Sequence, residues 1–194
     1  ILLFSPILIA VAVAVRLDSH GPALFRQRRV GHREREFTLF KFRSMRLDAD
    51  PRGHKEYVTA LIKGEDGSNN GKGDGAGKDL YKLAVDNRIT PVGRWIRKWS
   101  LDELPQLFNV LLGDMTLVGP RPAIPYEVAE YPNWYLRRFS VKPGLTGYWQ
   151  VSGRNERTYE EMVRLDIEYA ERRSLGLDLS ILVKTPWVVL SRKG

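Results

Sequence analysis

Residues Arg97 to Pro122 read RKWSLDELPQLFNVLLGDMTLVGPRP, and the fold turns on how this stretch is read. Two adjacent acids, Asp102 and Glu103, stand where the pattern predicts a helix to begin. Ser100 is placed to cap that helix and Gly113 to end it, and a short apolar run leads into the turn Gly119-Pro120-Arg121-Pro122. One reading is structural. Ser100-Leu101-Asp102-Glu103 fits S-x-x-E, in which the N-cap Ser and the Glu three residues on each satisfy an orphan backbone N–H. The other reading is chemical. Asp102 is not needed for that box, the helix dipole would keep it ionised, and an ionised carboxylate can act as a nucleophile. Pro105 is tolerated because first-turn N–H groups have no partner inside the helix. With Arg94, Arg97, Lys98 and Arg121 nearby, the acid pair points to chemistry on an anion, a phosphate held together with a metal.

The rest of the chain frames that stretch. Its 194 residues suffice for one domain with a real core, and 43% are hydrophobic, which excludes a disordered chain. Lys and Arg number 31 against 23 acids, a formal charge of +8. That excess predicts an anionic partner: nucleic acid, acidic lipid headgroups or a phosphorylated substrate. There is no Cys, which excludes a disulfide, a thiolate zinc site and a thiol nucleophile. Helix-turn-helix, zinc-finger and RNA-recognition motifs are missing, so no nucleic acid is expected. A non-catalytic basic module on a membrane or on nucleic acid is the alternative class.

Ile1 to Val15 carries no charge. As a helix it would be about 22 Å long at ~1.5 Å per residue, short of the ~20 residues needed to span a bilayer. Ser5-Pro6 also interrupts it. Three readings compete: the end of a spanning helix that continues before Ile1, a buried core helix, or a segment that enters a membrane, bends at Ser5-Pro6 and leaves on the same side. Pro6 favours the last, with Arg16 marking the exit. Ala23 to Gln27 and Phe37 to Arg43 read as a hairpin, with Lys41 and Arg43 on one face. Arg26, Arg28, Arg29, Arg33, Arg35 and Arg46 read mostly as a solvated or headgroup-facing surface. His20, His32 and His54 lack metal-ligand spacing.

Between Asp48 and Glu65 one short helix is expected. Gly64 to Lys78 is Gly-rich and polar, and reads as a loop. Thr90-Pro91 predicts an N-cap and first helical residue. Tyr126 to Phe139 reads as an amphipathic helix whose Trp134, Tyr135, Arg137 and Arg138 suit either a membrane interface or an ordinary surface. Tyr148 to Val151 reads as a strand. Thr158 and Glu161 repeat the capping-box spacing ahead of a helix to about Arg173, and Asp178 opens a last, mostly apolar helix bent at Pro186.

Taken together, these motifs resemble the bacterial sugar transferase family, the monotopic phosphoglycosyl transferases. The resemblance rests on Ser5-Pro6, GPALFRQRRVG (Gly21 to Gly31), FKFRSM (Phe40 to Met45), SLDELPQLFNVLLGDM (Ser100 to Met115), VGPRP (Val118 to Pro122), VKPGLTGYWQVSGRN (Val141 to Asn155) and the ending LDIEYA…SLGLDLSILVKT. It covers nearly the whole chain except an insertion at about residues 50–86. It implies an α+β fold: a mostly helical catalytic domain, 18–194, with a small β-hairpin and amphipathic interface helices, preceded by a re-entrant membrane helix, 1–17. It implies transfer of a hexose-1-phosphate from a UDP-sugar to polyprenyl phosphate on the cytosolic face of the bacterial inner membrane, with UMP released. Asp102 would be the nucleophile and form a phosphosugar-aspartyl intermediate, and Glu103 its companion, the pair serving Mg²⁺. Lys41, Arg97 and Arg154 would bind phosphate, and Arg121 would shape the nucleotide pocket. Anionic lipids are expected partners. The sugar, the oligomeric state and whatever precedes Ile1 stay open.

Overall fold

The computed structural model describes residues 5–47, 52–63, 88–153 and 157–191. The Gly-rich stretch from Gly64 to Lys78, Arg154 and the residues ahead of Ser5 lie outside these. The fold is α+β and mainly helical, with two small sheets, as expected.

Helix α1 (Ser5–Asp18) lays Val11 and Val15 against Phe42 of the hairpin and Ile96 of α3 (Pro91–Lys98). Its C-terminal carbonyls are held by a buried guanidinium: Arg43 donates to the carbonyls of Val15, Ser19 and His20. A cation there satisfies orphan carbonyls and complements the helix dipole. Arg43 therefore serves α1 and does not stand beside Lys41. In turn, Asp18 Oδ2 accepts the backbone N–H of Val92 at 3.1 Å, so the end of α1 caps the start of α3. Thr90 Oγ1 accepts from Gly93 at 3.0 Å with Pro91 in the first turn, as the spacing predicts. Pro6 falls in the first turn of α1, where proline is tolerated, so a bend at Ser5-Pro6 would involve residues outside those described. No described helix is long and apolar enough to cross a membrane.

The hairpin pairs β1 (Leu24–Val30) with β2 (Glu36–Phe42), Leu24 opposite Phe42 and Val30 opposite Glu36. Beyond it, a bridge joins Met45 to Ile89, so the chain leaves for the 48–87 excursion and returns at the same place. The helix expected there is α2 (Arg52–Ile62).

The second half departs from the sequence reading in three places. Ser100 adopts φ 53°, makes no side-chain cap, and is followed by a 3-10 turn, Leu101–Glu103, ahead of α4 (Gln106–Leu112). The capping box is thus absent, because the left-handed backbone at Ser100 breaks the register it needs. The helix expected over Tyr126 to Phe139 is split into α5 (Pro125–Val128) and a 3-10 helix, Asn133–Ser140. Pro132 has no N–H to continue a helix. Tyr135, Arg138 and Phe139 are buried there, which rules out a lipid-facing role for that side of the segment. Finally, Tyr148–Val151 is a short helix, α6, and the strand lies just before it.

That strand, β4 (Gly144–Thr146), pairs in parallel with β3 (Thr116–Val118). The two backbones touch at glycines: a Cβ on Gly144 would come within 2.0 Å of the Gly119 nitrogen. Only glycine at both positions permits this approach. Helices α7 (Tyr159–Arg172) and α8 (Leu175–Leu190) close the structure. Gly113 (φ 82°) ends α4, and the Thr158–Glu161 capping box forms, both as expected.

One side chain joins the two halves. Asn109, fully buried on α4, accepts the N–H of Phe40 at 3.0 Å and donates to the carbonyl of Thr38 at 2.7 Å. It pairs with β2 as a neighbouring strand would. Asn109→Ala strands both backbone groups, and is expected to cost about 2–4 kcal/mol, a fall of roughly 5–15 °C in melting temperature at this size. Thermal unfolding by circular dichroism checks it.

Candidate active site

Asn109 fixes α4 on β2, and the 3-10 turn before α4 is thereby set against Lys41 of the same strand. Lys41 Nζ lies 3.1 Å from Glu103 Oε1 in a half-buried ion pair. Released from capping, Glu103 points its carboxylate at this lysine. Lys41, Glu103, Gln106, Arg29 and Arg121 line a small cavity of about 40 Å³.

Asp102 is partly buried. Burial first, and the adjacent Glu103 second, push its carboxyl up to about 6; Lys41 and Arg97 pull the other way. It lines neither of the two cavities here, but it adjoins Glu103 on the smaller one and senses Arg97 on the larger. That larger cavity, about 460 Å³, is lined among others by Arg97, Arg121, Glu127, His54, Trp149 and Tyr159. Its size suits a small polar ligand. Arg121 is exposed and lines both cavities, so it marks where they meet.

The structure thus brings Lys41, Arg97, Asp102, Glu103 and Arg121 into one neighbourhood. Arg154 lies outside the described residues. His54 is exposed, and its Nδ1 lies 2.7 Å from the Tyr126 hydroxyl at the larger cavity.

For a metal, the donor set is two neighbouring carboxylates. No cluster of three or more His, Asp or Glu side chains forms among the described residues. Mg²⁺ needs only one or two carboxylates, and fills its shell with water and substrate phosphate. Asp102 and Glu103 are both only partly buried, so their oxygens fit an ion held in that way.

Several charged residues behind the site are buried where the sequence pattern predicts a surface. Arg29, expected among the exposed arginines, is one of them. Strand alternation carried the signal: Arg29 shares a face with Gln27, opposite Arg26 and Arg28. Its guanidinium donates to Gln27 Oε1 and, at 2.9 Å, to the carbonyl of Pro122. Arg138 and Asp166 form a buried ion pair behind the same turn. Burial raises the Asp166 carboxyl to about 6 against the pull of Arg138. No pattern in the sequence links these two.

Known proteins resemble the chain along its whole length. The family description "Bacterial sugar transferase" matches residues 1–192. The chain is 42% identical over its full length to the undecaprenyl-phosphate galactose phosphotransferase of Salmonella typhimurium, covering 38% of that protein. It is 42% identical over 97% of its length to the UDP-glucose:undecaprenyl-phosphate glucose-1-phosphate transferase of Xanthomonas campestris, covering 36% of it. Against the exopolysaccharide production protein ExoY of Rhizobium meliloti the identity is 39%, over 99% of this chain and 81% of that one. The chain thus spans under two fifths of the first two relatives. It is a member of the bacterial sugar transferase family.

Proposed function

We propose that this chain is a phosphoglycosyl transferase, moving a hexose-1-phosphate from a UDP-sugar to polyprenyl phosphate. The observation that carries the reading is the carboxylate pair Asp102-Glu103, placed on a turn between Lys41 and Arg97 beside a cavity entered by Arg121. The names of the Salmonella and Xanthomonas relatives support the lipid acceptor, and that of the second supports a UDP-sugar donor.

In this reading an Asp102 oxygen attacks the phosphorus that bears the sugar. The bond from that phosphorus to the bridging oxygen breaks, UMP leaves with the electron pair, and a phosphosugar-aspartyl ester remains. An oxygen of polyprenyl phosphate then attacks the same phosphorus and frees Asp102. Two anions meet at each step, so fixed positive charge lowers the barrier. Lys41, Arg97 and Arg121 supply it, with Arg154 assigned the same task. Asp102 and Glu103 would hold Mg²⁺, which when bound adds counter-charge at the phosphates. The larger cavity takes the nucleotide-sugar.

The acceptor is confined to a bilayer, and exposed apolar side chains suit that surface. Leu179, Val183, Trp187 and Leu190 form a stripe on α8; Leu117 lies on β3, which packs against α8, and Leu111 and Leu112 lie on α4, which packs against β3. Ile9 and Val13 on the outer side of α1 are exposed apolar side chains as well. The placement that follows is monotopic, on the cytosolic face of the inner membrane, with anionic lipids opposite the basic residues.

Asp102→Asn is expected to cut UMP release by at least about a thousandfold. The same variant should melt higher than wild type in metal-free buffer. Asp102 titrates at about 6 when folded against an ordinary 3.8, so wild-type stability falls as pH rises through that window. The advantage of the variant should therefore be full above pH 6 and vanish toward pH 4. Loss of activity with a lowered melting temperature at pH 8 would sink the nucleophile assignment.

Arg97→Ala should lower kcat/KM for the donor about 10- to 100-fold, the loss of one charge-assisted contact. Its melting temperature should stay within about 1 °C of wild type, since Arg97 is exposed. Chelation of divalent ions should stop UMP release, and added magnesium should restore it.

A further inference from the structure

The turn that carries Arg121 is held in an unusual way. Pro120 and Pro122 have no N–H, so local hydrogen bonding cannot fix it. Four successive carbonyls are instead taken by three distant parts of the chain: β4, the 3-10 helix Asn133–Ser140 and β1. Pro120 accepts from Gly144 N at 2.9 Å and Ala123 from Val30 N at 2.8 Å. Between them, Arg121 accepts from Arg138 Nη2 at 3.0 Å and Pro122 from Arg29 Nη1 at 2.9 Å. Both arginines are 5% exposed.

Each guanidinium is itself tied down. Arg29 Nε and Nη2 donate to Gln27 Oε1 at 3.1 and 2.8 Å. Arg138 is paired with Asp166, fully buried on α7, and donates through Nη1 to the Tyr131 hydroxyl at 3.1 Å. Burying two cations beside a third is costly. Burial and the charge of Arg121 together depress Arg29 to about 10. The nearby buried carboxylate of Glu127 offsets part of that cost.

Resting on the transferase reading, we infer that Arg29 and Arg138, the latter set by Asp166, are positioning residues that aim Arg121 at the donor pyrophosphate by gripping the carbonyls of Arg121 and Pro122. A planar guanidinium can serve two or three acceptors at fixed angles; lysine keeps the charge but not the fork. The Lys substitutions therefore separate aim from charge. A shift of about 1 Å in a binding group is enough to cost two orders of magnitude.

The test is a set of double-mutant cycles on the full chain in detergent with magnesium. UDP affinity is read by calorimetry, and UMP release with UDP-glucose and UDP-galactose. Arg29→Lys and Arg138→Lys are each expected to weaken UDP binding about tenfold with Arg121 present. With Arg121→Ala in place, the same changes should cost less than twofold, because nothing is left to aim. Equal losses in both backgrounds, or Lys variants that bind UDP as wild type does, would overturn the inference. If a Lys variant unfolds, Asp166→Asn loosens Arg138 without removing positive charge and is held to the same outcomes. A wild-type chain that neither binds UDP nor releases UMP would overturn the transferase reading itself, and the inference with it.

Discussion

The two hydrogen bonds that Asn109 makes to β2 decide where everything else sits. A two-stranded hairpin offers an open edge of backbone donors and acceptors, which must be covered or solvated. Here a side-chain amide covers it, with one acceptor and one donor matching the strand's own alternation. Because Asn109 is on α4, this contact sets the distance between the hairpin, which brings Lys41, and the turn before α4, which brings Asp102 and Glu103. An apolar side chain of similar size would fill the space without setting a register. The buried amide thus gives up some stability to specify one arrangement.

Around that joint the molecule concentrates charge. Two carboxylates stand side by side, and Lys41, Arg97, Arg121 and the buried Arg29 surround them within a few residues' reach. The result is uneven: Asp102 is pushed toward neutrality and Arg29 below its usual range, so neither is at ease. Burial is the larger cause in both cases, with the like charge of Glu103 second for Asp102 and that of Arg121 second for Arg29.

Much of this was legible in the sequence, for identifiable reasons. The caps at Thr90 and Thr158 and the stop at Gly113 are local, depending on residues three or four apart, and they formed as read. The hairpin was legible from its alternation. What failed were readings that a distant contact overrode. Ser100 looked like a cap, but its backbone turns left-handed and Glu103 goes to Lys41, 62 residues away in the chain. Tyr126 to Phe139 looked like one helix until Pro132 divided it. Tyr148 to Val151 had strand-forming residues yet coils after Gly147. Arg29 and Arg138 were invisible as a pair because their common target, the Arg121-Pro122 backbone, is defined by folding alone. Of the site, the acidic pair and the exposed cations were readable; the buried cations behind them were not.

The bridge between Met45 and Ile89 has a consequence for how such a molecule can diversify. A chain excursion whose two ends are stapled together at the base can lengthen or shorten at small entropic expense. Here the excursion includes α2, which contributes His54, Tyr57 and Val58 to the wall of the larger cavity. That wall of the pocket can therefore be altered between two fixed ends, with the hairpin left as it is and α5 and α7, on which α2 packs, taking up the change.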